Sequence, residues 1–303
     1  MYQLKKPDIH ASEISGLINQ ELRGEDIIIN APSTFDNCHS NSFICVLEEN
    51  NYDLNSICSN SKILVITNKM PETARENISF IISPNPKLDY IKAVNEYFIL
   101  WDEIKIASSA VIHADANISR NVSIGENVVI GPEVSIGENT KVLNNVVITN
   151  QVEIGTNCVI THNTTVGSEG FDFEIDKLGT PIHYPHLGRI IIGDNVWIGS
   201  NTSIECGKIE NTIIGNDVKI DDLVQIGYNC IIGDKSMITA GVIIERDVVI
   251  GNNVLLAPNA TIRNNISIGD DCIIGDGAVV ISEVESNSVY VGNPAKFLKN
   301  NGK

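Results

Sequence analysis

Residues 121–139 read NVSIGENVVIGPEVSIGEN, and this stretch decides the fold because it repeats one six-residue phrase three times. An aliphatic residue returns at every sixth position from Ile112 to Val166 and from Ile192 to Ile204. After a four-residue slip the series continues from Ile214 to Val280. All 25 of these positions are Ile, Val or Leu, and glycine follows 13 of them. Asn or Asp recurs three residues after the aliphatic position.

A period of six fits neither the 3.6-residue period of a helix nor the two-residue period of an ordinary strand. It is typical of a solenoid of short strands with a corner every six residues, in which Ile and Val stack inside. Gly and Asn fit the corners because they tolerate left-handed backbone conformations. The sequence therefore predicts a mainly β protein, a parallel β-helix of triangular section with roughly three units per coil and about eight coils.

The chain outside the repeats divides into three further parts. Residues 1–98 lack the phrase and are expected to form a small α/β domain, and the solenoid domain spans residues 99–284. Residues 168–189 interrupt the repeat and are predicted to form a loop at one corner, where function often resides. Residues 285–303 form a short tail. Within the first domain we expect a helix that Ser12 caps and Gly24 ends, a second helix over Lys87–Tyr97, and strands at 26–30, 42–47, 62–67 and 78–82.

Composition narrows the class of partner and compartment. A net charge of −17 argues against nucleic acid or an anionic membrane as partner. No run reaches the ~18 apolar residues of a membrane span. The seven cysteines show no CxxC pair and no zinc-ligand spacing. Cys158, Cys230 and Cys272 fall on an inward position and are expected to be buried, which favours a reducing, cytoplasmic setting.

Several stretches resemble the UDP-3-O-acylglucosamine N-acyltransferases of lipid A synthesis, a branch of the hexapeptide-repeat acyltransferases. They read VGSEGF at 166–171, GRIIIGD at 188–194 and IDDLVQIGYN at 220–229. The resemblance implies a left-handed β-helix, a homotrimer with active sites between neighbouring subunits, and an amino-terminal domain that grips the nucleotide base with aromatic side chains. Phe43 matches such an aromatic position, and Tyr52 is a looser match.

The chain departs from that family at two places. Tyr228 stands where the family's motif has its catalytic histidine, and a phenol with a pKa near ~10 is a poor base at neutral pH. The tail VGNPAK at 291–296 resembles the ending of hexapeptide acetyltransferases that use coenzyme A. This implies acyl-CoA as co-substrate, with no tightly bound cofactor. Residues predicted to contact it are Arg246, Arg263, Asn293 and Lys296.

Acyl transfer from a thioester requires orientation of the amine, stabilisation of the oxyanion and an acceptor for one proton. His162 is the first candidate acceptor, since it has the same outward phase as Tyr228 in the repeat. Asp221, which the motif shares, is expected to orient or accept. His183 and His186 lie in the loop and are predicted to bind substrate. They are also the next candidates, after His162, to accept the proton.

The sequence thus predicts an N-acyltransferase that moves an acyl group from acyl-CoA to a nucleotide-linked amino sugar, for a cell-surface polysaccharide or other glycan. One alternative is the lipid A enzyme itself, with acyl carrier protein as donor. Another is a zinc hydratase on the same solenoid, although only His113 and His162 lie in repeat units. The last alternative is a structural protein without catalytic activity. A homotrimer is predicted from outward apolar residues, namely Val129, Val147, Trp197, Met237, Leu255 and Ile273.

Overall fold

The computed structural model describes residues 2–5, 7–47, 61–71, 76–101 and 105–302. The chain divides into two compact units, Met1–Asp102 and Glu103–Lys303. The division falls slightly after the predicted boundary at 98, because the strand Ile99–Trp101 pairs antiparallel with Tyr2–Leu4 inside the first unit.

The first unit is an α/β fold built on a five-stranded sheet. Its elements are β1 (Tyr2–Leu4), β2 (Ile9–His10), α1 (Ala11–Leu17), β3 (Leu22–Arg23), β4 (Ile28–Ile29), β5 (Ala31–Ser33), β6 (Ser42–Cys45), β7 (Ile63–Thr67), β8 (Ile78–Ile82), α2 (Pro86–Ala93), a π-helical turn (Val94–Phe98) and β9 (Ile99–Trp101). The sheet order is β3-β8-β7-β6-β5, and only β3 runs antiparallel to its neighbour. Strand β7 is buried at every residue, as continuous apolar strands covered on both faces are.

The first helix differs from its prediction at both ends. It begins at Ala11, and the Glu13 carboxylate accepts the backbone N–H of His10 at 3.0 Å. Ser12 is not the cap, because its N–H and hydroxyl donate to the Asp26 carboxylate at 2.9 and 2.8 Å. The helix ends at Leu17 because Asn19 turns the backbone into the left-handed region, with φ of 52°. The second helix begins one residue before its prediction and finishes in the π-helical turn.

The second unit is the predicted parallel solenoid, with three sheets that form its faces. The first face contains Val111–Ile112, Val129–Ile130, Val147–Ile148, Thr165–Ser168, Ser203–Glu205, Gln225–Ile226, Ile243–Ile244, Thr261–Ile262 and Val279–Val280. The second contains Asn117–Ile118, Ser135–Ile136, Val152–Ile154, Ile190–Ile192, Thr212–Ile214, Ile231–Ile232, Val249–Ile250 and Ser267–Ile268. The third contains Ser123–Ile124, Lys141–Val142, Val159–Ile160, Trp197–Ile198, Lys219–Ile220, Met237–Ile238, Leu255–Leu256, Ile273–Ile274, Ser288–Val291 and, antiparallel at its end, Lys296–Asn300.

The first face has nine strands, so the solenoid has one coil more than the predicted eight. Strands one coil apart pair in register, as Ile130 pairs with Ile148. The aliphatic residues of the repeat therefore stack in three internal columns, and they form one continuous buried core. Cys158, Cys230 and Cys272 are each no more than 1% exposed inside it, which confirms their prediction as small buried residues.

Asn and Gly occupy the corners for different reasons. The first, second and third corners are the turns that follow the strands of the first, second and third faces. The position three residues after the aliphatic one adopts the left-handed conformation, with φ of 56° at Asn127 and 60° at Asn145. The glycine position does not need positive φ at most coils. A Cβ at Gly131 would lie 2.5 Å from the Thr149 carbonyl oxygen, and one at Gly199 only 2.2 Å from the Asp221 backbone. The prediction that glycine serves there for its conformational freedom was wrong, because close approach of the next coil excludes a side chain.

Two irregularities break the solenoid at the first corner. Residues 168–189 leave it as a loop that contains an antiparallel hairpin, Phe173–Ile175 with Pro181–His183. The predicted slip near residues 205–212 is a bulge at the same corner, one coil further on. The two lie together, because the Leu187 N–H donates to the Lys208 carbonyl at 2.8 Å. Among the described residues no helix is long and apolar enough to cross a membrane.

Candidate active site

The loop 168–189 lies against the first corner of the following coils, and it covers Tyr228 and Glu205. Gly170 is buried where the loop meets the corner. A Cβ there would come within 2.4 Å of the Tyr228 ring, 2.7 Å of His186 Nε2 and 2.9 Å of Glu205 Oε2. Only a glycine fits this contact. The loop that interrupts the repeat and Tyr228 therefore form one site.

The imidazole of His186 lies beneath the loop. Its side chain is fully buried, and its ring meets the Tyr228 ring edge-on with centroids 4.7 Å apart. The His183 ring centroid is 5.9 Å from that of His186, and about a third of the His183 side chain is exposed. The structure thus brings the predicted residues His183, His186 and Tyr228 together. Direct substrate contact by His186 is wrong for this position of the loop, because no surface of its ring reaches solvent.

The Tyr228 phenol is protonated at this site. Burial raises its pKa to about 12, and the Asp172 carboxylate of the loop also raises it, whereas the charge of Arg246 lowers it. The phenol therefore keeps its proton at neutral pH and cannot accept another group's proton. The Arg246 guanidinium lies 5.9 Å from the Tyr228 ring centroid, and its Nη1 pairs with Asp247 Oδ2 at 2.8 Å.

Lys208 anchors the loop from the bulge of the next coil. Its Nζ is 2.6 Å from Asp172 Oδ2 and lies 4.0 Å from the centroid of the Tyr184 ring. The hydrogen bond and charge of Lys208 hold the pKa of the Asp172 carboxyl below its usual value. The pair is therefore ionised throughout the neutral range. Lys208, Asp172 and the Tyr184 ring thus lie together along one edge of the site.

Glu205 is a half-buried carboxylate that sequence reasoning missed. Its Oε2 accepts the Tyr228 backbone N–H at 3.1 Å, and its Oε1 accepts the Gln225 side-chain amide at 2.9 Å. Burial raises the pKa of the Glu205 carboxyl, since desolvation disfavours its charged form. A carboxylate with a raised pKa is a suitable proton acceptor.

A carboxylate and two imidazoles form a second cluster at the base of the loop. Glu169 Oε2 lies 3.4 Å from His183 Nε2 and 3.5 Å from His186 Nδ1. The three ligand atoms lie within 4.8 Å of one another and form a group that suits a metal ion. No such group was predicted from the sequence, because Glu169 is separated from both histidines by the hairpin.

The other predicted catalytic residues lie at a different corner. His162 and Asp221 follow strands of the third face, whereas Tyr228 follows the first face. His162 is exposed, and its backbone carbonyl accepts the Asn201 N–H of the next coil at 3.1 Å. The same outward phase in a six-residue repeat thus does not bring His162 and Tyr228 together, because the corners repeat every three units.

The residues predicted to bind coenzyme A also fall into two groups. Arg246 and Arg263 lie at the first corner, on successive coils beyond Tyr228. Asn293 and Lys296 lie in the terminal hairpin, whose turn bonds to Val279 through the Gly292 carbonyl at 3.0 Å. That turn lies beside the third corner. Each group combines exposed polar or cationic side chains, and the two groups follow different faces of the solenoid.

In the first unit Phe43 belongs to the core. Its side chain is 0% exposed and stacks on Tyr90 with ring centroids 4.7 Å apart. The prediction that Phe43 stacks on a nucleotide base is therefore wrong for this structure, because its ring has no accessible face. Tyr52 lies outside the described residues. A cavity of about 440 Å³ opens next to Phe43 instead, lined by Pro32, Ser33, Thr34, Phe35, Cys45 and Tyr90.

Comparison with known proteins agrees with the repeat and the solenoid. The family described as bacterial transferase hexapeptide (six repeats) matches residues 133–168, 211–246 and 247–282. The family described as hexapeptide repeat of succinyl-transferase matches residues 189–221. A UDP-3-O-acylglucosamine N-acyltransferase of Coxiella burnetii is 48% identical over 79 residues, which are 25% of this chain and 23% of the relative. The match therefore covers less than a quarter of that relative's length.

Solved structures share the solenoid over a longer stretch. A UDP-N-acetylglucosamine acyltransferase of Francisella novicida has a TM-score of 0.60 and 27% identity, over 65% of this chain and 71% of its own. A UDP-N-acetylglucosamine O-acyltransferase of Moraxella catarrhalis has a TM-score of 0.61 and 24% identity, over 65% and 75%. From the repeat, the three-faced solenoid and these likenesses, residues 133–168, 189–221 and 211–282 carry the hexapeptide repeat of bacterial transferases, and the solenoid is a left-handed β-helix.

Proposed function

We propose that this protein transfers an acyl group from acyl-CoA to the amino group of a nucleotide-linked amino sugar, in the synthesis of a cell-surface glycan. The observation that carries the proposal is the first corner, where the loop, Tyr228, Glu205 and Arg246 form one polar site on an acyltransferase solenoid. The named relatives act on UDP-sugars, which supports a nucleotide sugar as acceptor.

In this reaction the amine nitrogen attacks the thioester carbonyl carbon, and the carbon–sulfur bond breaks to release the thiolate. The nitrogen loses one proton. We assign that proton to Glu205, whose burial makes it a stronger base than an exposed carboxylate. Tyr228 keeps its proton, and as a buried ring beneath the loop it supports the site without accepting a proton. His162 is the alternative acceptor, and the departing thiolate requires no protein base at all.

Cations beside the site suit the phosphates of both substrates. Arg246 and Arg263 lie on successive coils of the first corner, and 44% of the Arg246 side chain is exposed. Charge-assisted bonds from a guanidinium fork to phosphate are strong and directional. Asn293 and Lys296 would meet the coenzyme A donor from the third corner of a neighbouring copy. This arrangement requires the threefold homotrimer, in which different corners of adjacent solenoids face each other.

The first unit offers a place for the nucleotide base. The cavity beside Phe43 has aromatic side chains, Phe35 and Tyr90, together with backbone and hydroxyl groups of Ser33 and Thr34. Its volume of about 440 Å³ is within the range of small-molecule sites. Phe43 would then support the cavity from behind through its stack on Tyr90.

The second candidate function is N-acylation of UDP-3-O-acylglucosamine with acyl carrier protein as donor. The 48% identity to the Coxiella burnetii enzyme over 79 residues favours it. The zinc hydratase gains no support from His113 and His162, which lie at the first and third corners respectively.

A transfer assay separates these possibilities. The purified protein is incubated with UDP- and dTDP-amino sugars and with either short acyl-CoA esters or acyl carrier protein loaded with long chains. Mass spectrometry then detects the acylated nucleotide sugar. The proposal requires product from acyl-CoA. Product from acyl carrier protein alone would establish the second candidate instead. Light scattering on the same sample tests the trimer, which a monomeric mass at micromolar concentration would exclude.

A further inference from the structure

We propose that the base of the loop is a divalent transition-metal site, with Zn²⁺ as its preferred ion, formed by Glu169 Oε2, His183 Nε2 and His186 Nδ1. Ligand atoms at 2.0–2.2 Å from one tetrahedral Zn²⁺ lie roughly 3.3–3.6 Å from each other. The carboxylate oxygen lies 3.4 Å from one imidazole nitrogen and 3.5 Å from the other. The carboxylate is therefore already spaced from both imidazoles as a bound ion requires, and all three ligand atoms lie within 4.8 Å of one another.

The second observation is the state of His186. Its side chain is fully buried, and among the described residues neither of its ring nitrogens has a hydrogen-bond partner. A buried polar group without a partner is costly, and such groups are rare in native proteins. Glu169 Oε2 lies 3.5 Å from Nδ1 without forming a hydrogen bond to it. A metal ion between Nδ1 and Glu169 Oε2 would give the buried nitrogen a partner and bind the carboxylate as well.

The ligand set selects the kind of ion. Two imidazole nitrogens and one carboxylate oxygen suit Zn²⁺ and its neighbours, whereas Mg²⁺ and Ca²⁺ prefer oxygen ligands alone. His183 Nε2 also lies 3.3 Å from the Gly170 carbonyl oxygen, and Glu169 Oε2 accepts the His186 backbone N–H at 3.3 Å. The second contact holds the carboxylate in place, whereas His183 Nε2 would exchange its proton and its bond to Gly170 for the bond to the ion. Three protein ligands leave a fourth position for water or another small ligand.

The ion would tie the loop at three points. Glu169 lies where the chain leaves the solenoid, His183 ends the hairpin, and His186 lies just before the chain returns at Arg189. Because the metal ion joins the exit, the hairpin and the return, it would hold the loop down on Tyr228. The site thus controls order in the loop and does not depend on which substrate the protein acylates.

Metal analysis without any substrate tests the site. Tag-free protein is stripped with a chelator, dialysed against Zn²⁺, freed of excess ion and analysed by elemental mass spectrometry. About one Zn²⁺ per chain is expected for the wild type. The variants His183→Ala and Glu169→Gln should each retain at least tenfold less, because losing a ligand weakens binding by that much or more. Glu169→Gln is nearly isosteric and leaves His186 in place, which protects the test from misfolding.

The matched control is His113→Ala, which removes an exposed solenoid histidine near Asp115 and should bind zinc as the wild type does. Hydrogen exchange of the loop amides gives the second readout. Exchange should slow on addition of Zn²⁺ in the wild type and in His113→Ala, and it should not change in Glu169→Gln. Zinc binding that is absent in the wild type, or equal in all four proteins, overturns the proposal. Neither result bears on acyl transfer.

Discussion

Replacement of Gly170 by alanine tests whether the loop rests on the first corner. The added Cβ would lie 2.4 Å from Tyr228 Cδ1, 2.7 Å from His186 Nε2 and 2.9 Å from Glu205 Oε2. Favourable separations between non-bonded heavy atoms are about 3.5–4.0 Å. Both rings are buried and pack edge-on, so neither can move away without disturbing the other. The loop must therefore lift.

Overpacking a well-filled site costs about 1–3 kcal/mol. If the loop takes up the strain by opening, the open fraction should rise about 5- to 150-fold, since ~1.4 kcal/mol corresponds to a factor of ten. Hydrogen-exchange mass spectrometry of residues 168–189 measures this change directly. The unfolding midpoint of the solenoid should move little, because Gly170 lies outside the stacked coils.

Two variants serve as controls. Leu178→Ala changes the hairpin at a side chain that is 90% exposed, and Gly16→Ala places a methyl group where no atom lies within 4 Å. Both should exchange as the wild type does. A folded Gly170→Ala protein with the same loop exchange as these controls would show that the loop does not rest on Tyr228, and the assignment of one joint site would fail.

Three further predictions concern the proton, the first unit and the core. Glu205→Gln should lower turnover by ~10²-fold and Tyr228→Phe by less than ~10-fold, with His162→Ala near the wild type. If turnover is lost in His162→Ala and unchanged in Glu205→Gln, the His162 imidazole is the proton acceptor instead of Glu205. Burial raises the pKa of Tyr90 to about 12, so the stability that its proton supports is complete below the unfolded value near 10 and is lost as the pH rises towards 12. Urea unfolding should show that decline in the wild type and a smaller one in Tyr90→Phe, where the raised pKa values of Tyr97 and Tyr228 remain. Ile226→Ala should destabilise the solenoid by about 2–5 kcal/mol in the same assay, because Ile226 is 0% exposed; a change below ~1 kcal/mol would contradict its place in the core.

The sequence predicts the solenoid well because each coil repeats the same local physics. An aliphatic residue at every sixth position fixes the inward column, and Asn three residues later supplies the left-handed turn, as at Asn127. The role of glycine was not predictable in this way. At Gly131 the restriction comes from the carbonyl of Thr149, which is 18 residues away in the chain and belongs to the next coil.

The site was predictable only in part, because its members come from separate coils. The motif identified Tyr228, and the interruption identified the loop, but phase within six residues did not determine the corner. His162 shares the phase of Tyr228 and lies at another corner. Glu205 and Lys208 fall in the four-residue slip, and only its position one coil after the loop would have indicated their place in the site.

Phe43 shows how a motif match can mislead about accessibility. The residue lies on an inner strand of the sheet, beside the mostly apolar strand Ile63–Thr67, and that pattern already favours burial. The aromatic cavity beside it depends on Phe35 and Tyr90, which are distant in the sequence and meet only in the folded unit.

The central claim is that acyl transfer occurs at the first corner, and a comparison of two arginine variants tests it most directly. Arg246→Ala removes a cation beside Tyr228 that pairs with Asp247 at 2.8 Å. Arg120→Ala removes an exposed cation at the second corner that pairs with Glu138 at the same distance. Steady-state kinetics of acyl-CoA transfer to a nucleotide amino sugar should show kcat/KM at least tenfold lower for Arg246→Ala and unchanged for Arg120→Ala. Equal values for the two variants, or no product from the folded wild type with any donor and acceptor, would contradict the account.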